Sequence, residues 1–353
     1  MNPRLKRTLS CILSVVVGFA LLGGVLYYVG WRSVVAEIVA LHWTGVAAVG
    51  GTVLLGVGAG GLSWWVILRS YGVRLPWRHV AGAWLASYAV TYLTPTLYFG
   101  GEPVRALLVA DRSKAPGTRI FATIVVERVL GGLALVLFIL MGSFYALVSP
   151  KIAATEKRVV LFGAAFVSFW ILVGLVNFAG NFKWISRLIR LLGIPFRRWE
   201  RGFARAADKV SETEDEIHTA FTVHWKGTAL AFLIQLFAAL CAYMRPQVFF
   251  HFSASTTFDF AQLSLLFTLN ILMGFFLWIT PGGVGTSEAA LIGIYRLVGV
   301  GKEGAVAFSL IFKVFEFAMV GVGLAYTFSR GIGSLVRRLH EKARRERRED
   351  VAP

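Results

Sequence analysis

Eight ionisable residues stand inside apolar stretches of this chain: Glu102, Arg105, Glu127, Arg128, Glu288, Arg296, Lys313 and Glu316. The two signs balance. A charge at the centre of a lipid-embedded helix costs about 2.5–3.5 kcal/mol, so such residues pair, face a wet cavity or bind a ligand. Arg105, Arg128 and Lys313 suit an anion, and a guanidinium offers a planar fork that matches phosphate oxygens. Spacing suggests partners. Glu102 with Arg105, and Lys313 with Glu316, sit i, i+3 and can meet on one helix face. Glu127 and Arg128 are adjacent and point apart, so each needs a partner from another element. Arg296 lies near the end of its apolar run and is expected to snorkel to the interface.

These charges gather around two matching breaks. The first reads Thr94-Pro95-Thr-Leu-Tyr-Phe-Gly100-Gly101-Glu102-Pro103-Val-Arg105, and the second Thr280-Pro281-Gly282-Gly283-Val-Gly285-Thr286-Ser287-Glu288. A shift of 186 positions lays Thr-Pro on Thr-Pro, Glu102 on Glu288 and Glu127 on Lys313. Pro removes a backbone donor and disfavours helix in the residue before it, and Gly lets the chain turn sharply. Each break therefore predicts two half-helices meeting near the bilayer middle, a re-entrant hairpin. Irregular backbone is tolerated there only when buried in protein or lining a cavity. Two such units in opposite senses form an inverted repeat, with a site at the repeat interface. Glu127 and Lys313 then become a natural pair across one cavity. The half-helix N-termini, with Gly100, Gly101, Gly283 and Gly285, would add backbone N–H donors for an anion, and Ser287 or Thr286 could cap the second. Ordinary kinks in full-length spans are the bland alternative, and buried structural ion pairs are the bland alternative for the charges.

The elements that must hold these residues are lipid-solvated helices. Of 353 residues, 57% are hydrophobic and only 16% charged, which excludes a water-soluble globule of this length. Apolar runs of membrane length cover Leu9–Val29, Trp43–Leu68, Ile120–Val148, Val159–Ala179, Gly227–Tyr243 and Ala305–Phe328. The broken regions are Val80–Ala110 and Phe258–Val298. The fold class is all-α: a polytopic bundle of about six full spans plus two re-entrant hairpins, one membrane domain over 1–353. The repeats run roughly over 43–148 and 227–328, with a cytoplasmic amphipathic and charged segment at 180–226 and a basic tail at 329–353. Segments 1–8, 69–79, 111–119, 180–226 and 329–353 hold 26 Lys and Arg, against 6 in the intervening loops. That asymmetry predicts cytoplasmic termini in the plasma (inner) membrane. It also reads the net charge of +17 as loops meeting an anionic leaflet, with no nucleic-acid partner.

Other chemistry is poorly supported. The six His are scattered and Cys11 and Cys241 form no CxxC, so no metal site, no cofactor and no catalytic set is expected. Walker A, GxGxxG and GxSxG motifs are missing. Residues 182–192 combine Trp and Leu with Lys and Arg, a composition suited to a helix lying in the headgroup plane.

A Gly-Gly-Glu102-Pro-Val-Arg105 half-helix, a basic turn (Asp111–Arg119), Val-Val-Glu127-Arg128-Val-Leu and Pro281-Gly-Gly-Val-Gly-Thr-Ser-Glu288 occur in that order. Together they resemble the flippase-like family of integral membrane proteins that includes the transmembrane domain of lysylphosphatidylglycerol synthases. The resemblance covers nearly the whole chain and implies a stand-alone member, without the aminoacyl transferase domain of the best-understood members. It also implies movement of a lipid headgroup between leaflets. The lipid expected from the cations is anionic or phosphate-containing, either a phospholipid or a lipid-linked substrate. The binding set is Gly100, Gly101, Glu102, Arg105, Glu127, Arg128, Gly283, Gly285, Ser287, Glu288, Lys313 and Glu316. Two further readings stay open: a scaffold or regulator of lipid or envelope synthesis with a partner protein docked on 180–226, and an intramembrane enzyme with Glu102 and Glu288 as acid and base.

Overall fold

The computed structural model describes residues 16–17, 19–94, 100–113, 115–148, 150, 154–193, 200–276 and 280–349. Among them there is no strand, and the chain is a polytopic helical bundle. Helices α1 (Phe19–Val29) and α2 (Trp31–Ala40) meet at 85° across Gly30, whose φ is 95°. Next come α3 (His42–Ser70), α4 (Trp77–Leu93), α5 (Glu102–Ala110), α6 (Gly117–Val148) and α7 (Ala154–Ala179). They are followed by α8 (Trp184–Gly193), α9 (Glu200–Thr222), α10 (Trp225–Tyr243), α11 (Arg245–Ala254), α12 (Phe260–Phe276), α13 (Thr286–Arg296) and α14 (Lys302–Glu349). Five stretches are long and apolar enough to cross a membrane: His42–Ser70, Gly117–Val148, Val160–Ala179, Trp225–Ala254 and Lys302–Arg330. The bent α1–α2 pair is a sixth if it counts as one span.

Two loops expected from the sequence are helical. In α2, Val34 and Ile38 stand i, i+4 on one face and pack into the core alongside α14, while Trp31 and Val35 stay exposed. The run expected to end at Tyr243 continues into α11. Pro246 lies at the first turn of that helix, where a missing N–H costs nothing. Residues 9–15 and 18 of the Leu9–Val29 span and the middle of the first break, 95–99, lie outside the described residues.

Both breaks behave as the Thr-Pro pairs dictate. Thr94 ends α4 at φ −98°, ψ 128°, and Thr280 stands at φ −99°, ψ 154°. Each is the extended conformation that a following proline enforces. Gly282 and Gly285 then take φ of 64° and 81°, values open to glycine at little cost. The chain doubles back each time. His79, at the start of α4, bonds the Leu108 carbonyl near the end of α5 at 3.1 Å. Tyr295, near the end of α13, reaches Phe258, just before α12, through the ring of Phe250. The α4–α5 hairpin opens toward the Tyr326 end of α14, where the Tyr326 hydroxyl meets the His79 imidazole. The α12–α13 hairpin opens toward the other end, at Lys302. Their tips meet: a Cβ on Gly282 would strike the ring of Tyr92, in the last turn of α4.

Small residues allow the close helix approaches on which this arrangement depends. A Cβ on Gly101 would overlap the Ser87 carbonyl, one on Gly142 the Ser264 carbonyl, and one on Gly323 the Leu85 carbonyl. At the Tyr326 end, α9 lies across the loops. Glu216 accepts from Arg119, and its carbonyl accepts from the Tyr71 hydroxyl at 2.7 Å. The described residues of segments 69–79, 111–119 and 180–226 thus share one end of the bundle. The amides of Ile185 and Ser186 donate to Glu214 of α9, which fixes the start of α8. Ile185, Leu188 and Leu191 remain exposed on α8.

Candidate functional site

The first half-helix begins with its own counter-ion. Glu102 opens α5 and accepts the Gly100 N–H at 2.7 Å, while the Gly101 N–H donates to Thr91 Oγ1 at 3.0 Å. A carboxylate here offsets the positive end of the helix dipole. Its other oxygen holds Arg128 of α6, with Nη2 at 2.7 Å and Nε at 3.0 Å. One turn further along α5, Arg105 pairs with Glu127 at 2.7 Å. That pair is sealed, since the two side chains are 1% and 5% exposed. Gln235 of α10 donates to the second Glu127 oxygen at 3.0 Å, and the Trp64 ring faces the Arg105 guanidinium at 4.8 Å. Buried charges survive when paired and hydrogen-bonded in this way.

The second half-helix repeats the device. Glu288 is wholly buried and accepts the Gly285 N–H at 2.7 Å, half of a capping box at the start of α13. Its other oxygen meets Lys313 of α14 at 2.7 Å and Ser309 Oγ at 2.8 Å. Lys313 also donates to Ser287 Oγ at 2.8 Å, and Ser287 in turn donates to the Gly283 carbonyl at 2.7 Å. In both hairpins a glutamate folds back onto the break and is held by a cation of the next helix.

Every pair expected from spacing is exchanged for a partner on another helix. Glu102 chooses Arg128 over Arg105, and Lys313 chooses Glu288 over Glu316. Glu127 and Lys313 are not paired; Glu127 has Arg105 and Gln235, and Lys313 has Glu288 and Ser287. Spacing along one helix brings side chains to one face, but a glutamate at a helix start satisfies itself with the backbone before it. The cations are then left to the next helix. The N–H donors expected to be open at Gly100, Gly101 and Gly285 are already engaged by protein acceptors. Arg296 is exposed at the end of α13.

Glu316 sits apart from both clasps. It accepts the Tyr92 hydroxyl at 3.0 Å, and its nearest cation is Arg245 Nη1 at 4.0 Å. Thr91, Tyr92, Gln235, Arg245 and Ser309 were not singled out by sequence. Four of them are neutral polar side chains in apolar helices, a weaker signal than charge. Arg245 was assigned to a loop because α11 was not recognised.

Among the described residues no group of His, Cys, Asp and Glu could hold a metal ion. No solved structure matches the chain. A UPF0104 membrane protein of Methanothermobacter thermautotrophicus is 25% identical over 273 residues, covering 73% of this chain and 77% of the relative. A UPF0104 membrane protein of Pyrococcus horikoshii is 23% identical over 262 residues, covering 72% and 77%. The family described as the lysylphosphatidylglycerol synthase TM region matches residues 11–323, a stretch containing both hairpins and every ion pair of the core. The chain therefore belongs to the lysylphosphatidylglycerol synthase TM region family.

Proposed function

We propose that the protein moves phosphate-bearing lipid headgroups between leaflets, along the interior where the two hairpin tips meet. One observation carries this reading. Both hairpins hold an anion between a half-helix start and a cation of the next helix, and in each the anion is the protein's own glutamate. A phosphate presents the same charge and acceptors as that carboxylate. It can take the place of Glu102 at Arg128, whose side chain is 34% exposed, or of Glu288 at Lys313. The glutamate swings out as the headgroup enters and returns as it leaves, while the acyl chains stay in the bilayer. Pseudo-twofold symmetry of the two repeats gives each leaflet an equivalent entrance. The basic end of the bundle faces the cytoplasm across the plasma membrane.

The acid–base reading of Glu102 and Glu288 gains no support, because both carboxylates are committed to a backbone N–H and a cation. The test is leaflet exchange of labelled phosphatidylglycerol in proteoliposomes. Wild type should exchange lipid faster than protein-free vesicles. Arg128→Ala and Lys313→Ala, folded by size exclusion, should slow exchange by about tenfold or more, the worth of one charge-assisted bond. Equal rates in all three proteins would overturn the reading in favour of a scaffold.

A further inference from the structure

Among the described residues a further cation of the interior is Arg245, and its surroundings are unlike those of the others. It opens α11 within the continuous apolar stretch Trp225–Ala254. Its neighbours on α14, Phe312 and Glu316, lie ten and fourteen residues past Lys302. At the helical rise that is about 15 and 21 Å along the span. Arg105, Arg128 and Lys313 each have a carboxylate at 2.7 Å. Arg245 makes no side-chain hydrogen bond to any described residue. Nη1 stands 4.0 Å from Glu316, beyond hydrogen-bond length, and Nε is buried without a partner. The guanidinium lies over the Phe312 ring at 5.5 Å.

Which donors are unpaired matters. Nη1 is the group turned toward Glu316. Nε and Nη2 project side by side from the other edge of the plane, and this edge can grip two oxygens of one phosphate. Gly56 of α3 faces Nη2, and a Cβ there would stand 3.9 Å from it and 3.5 Å from the Cys241 Cβ. That Cβ would already be in van der Waals contact, so any larger side chain would crowd Nη2. Glu316 does not need Arg245 as its sole partner, because Tyr92 holds it at 3.0 Å. Nε is shielded, so an arriving anion meets Nη2 first and reaches Nε only as the neighbouring side chains move, without displacing an established hydrogen bond.

We propose that Arg245 is the phosphate anchor of the interior, binding a phosphodiester through Nε and Nη2 beside Gly56. This deepens the translocation reading and rests on it for the lipid source of the phosphate; the binding chemistry stands on Arg245 alone. The side chain is 24% exposed, but a buried Nε without a partner at membrane depth is otherwise costly.

The experiment compares full-length wild type with Arg245→Lys, which keeps the charge and loses the fork, and with Gly56→Val, which leaves Arg245 and crowds its Nη2. Binding is read as thermal stabilisation of the detergent-solubilised protein by phosphatidylglycerol, by diacylglycerol of the same acyl chains, and by inorganic phosphate. The expected result is stabilisation of wild type by phosphatidylglycerol and not by diacylglycerol, with apparent affinity about tenfold weaker in both variants. Equal stabilisation by inorganic phosphate, lost in Arg245→Lys, supports the anchor and assigns it a soluble phosphate. Unchanged phosphatidylglycerol affinity in both variants overturns the anchor. The same proteins are then assayed for leaflet exchange. Exchange by wild type that Arg245→Lys leaves at full rate overturns the anchor and keeps translocation. No exchange by wild type, with fork-dependent phosphate binding intact, overturns translocation and keeps the anchor.

Discussion

The Tyr92 hydroxyl donates a 3.0 Å hydrogen bond to Glu316, tying the last turn of α4, at one hairpin tip, to α14 beside the other. A hydrogen bond to a charged group contributes about 1.5–3 kcal/mol. Tyr92→Phe keeps the ring against Gly282 and removes the donor. It should lower stability by about that amount, read as a lower midpoint in thermal unfolding, with the helical content unchanged. A midpoint equal to wild type would show that the bond is not made in the membrane protein.

The sealed Arg105–Glu127 pair should behave asymmetrically. Removing either partner alone, as Arg105→Met or Glu127→Leu, leaves a buried charge unpaired and should cost about 3–5 kcal/mol. The double replacement should cost much less than the sum, because no charge remains. A double-mutant cycle on unfolding checks this. The swap Glu127→Lys with Lys313→Glu should give no rescue, since the two side chains have other partners.

Gly101→Ala should abolish folded protein, because the added methyl lands on the Ser87 backbone. Gly51→Ala, with nothing within 4 Å of its Cβ, should leave yield and elution profile unchanged. Size-exclusion profiles of the two detergent-solubilised variants distinguish them. A well-folded Gly101→Ala would contradict the close approach of α4 and the start of α5.

His224 carries a pH dependence outside the spans. Its ring lies against that of Tyr71, centroids 4.5 Å apart. Burial is the largest influence and lowers its pKa; the Arg119 charge adds to this and Glu216 opposes it. The folded state therefore binds this proton less readily than the unfolded chain, for which the pKa is about 6.5. The stability His224 contributes is present above that value and is lost as pH falls through the lower folded pKa. Amide protection factors at the α9–α10 turn, corrected for the intrinsic pH dependence of exchange, should fall on acidification below about pH 6.5, and His224→Asn should flatten the response. An unchanged profile in the variant would place the titrating group elsewhere.

Single cysteines at Arg74 and Ser329, in a background lacking Cys11 and Cys241, should label from one face of a vesicle, and one at Lys302 from the other. The first two lie at the Tyr326 end of the bundle and the third at the opposite end. Labelling of Arg74 and Lys302 from the same face would overturn the placement of the two hairpins as opening at opposite ends.

Much of this architecture is written locally. Thr94-Pro95 and Thr280-Pro281 announce both breaks, since proline constrains the residue before it whatever the surroundings. Apolar runs of membrane length give the spans. The charges were legible as a group, but their pairing was not. Which cation Glu102 meets depends on how α5 and α6 rotate against each other, and that is set by contacts such as Gly101 on Ser87, far from any charge. Gln235 and Ser309 complete the clasps with neutral groups that hydropathy averages away. Arg245 is hidden because the apolar run ends at Tyr243, whereas the chain starts a new helix there with Pro246 in its first turn.

The clasps also bear on how the chain enters the bilayer during synthesis. Arg105 meets a partner 22 residues downstream, and Glu102 one 26 residues downstream. A translocon that released α5 alone would strand one acid and one base in lipid, each at the insertion cost of an unpaired charge. Held until α6 has emerged, the same segment leaves as a neutral, internally bonded unit. The second hairpin has the same dependence on α14, as Glu288 waits for Lys313. Tyr92–Glu316 spans 224 residues, so the bond between the tips closes only after the last helix has arrived. The order of insertion is thereby coded in the sequence distance between opposite charges.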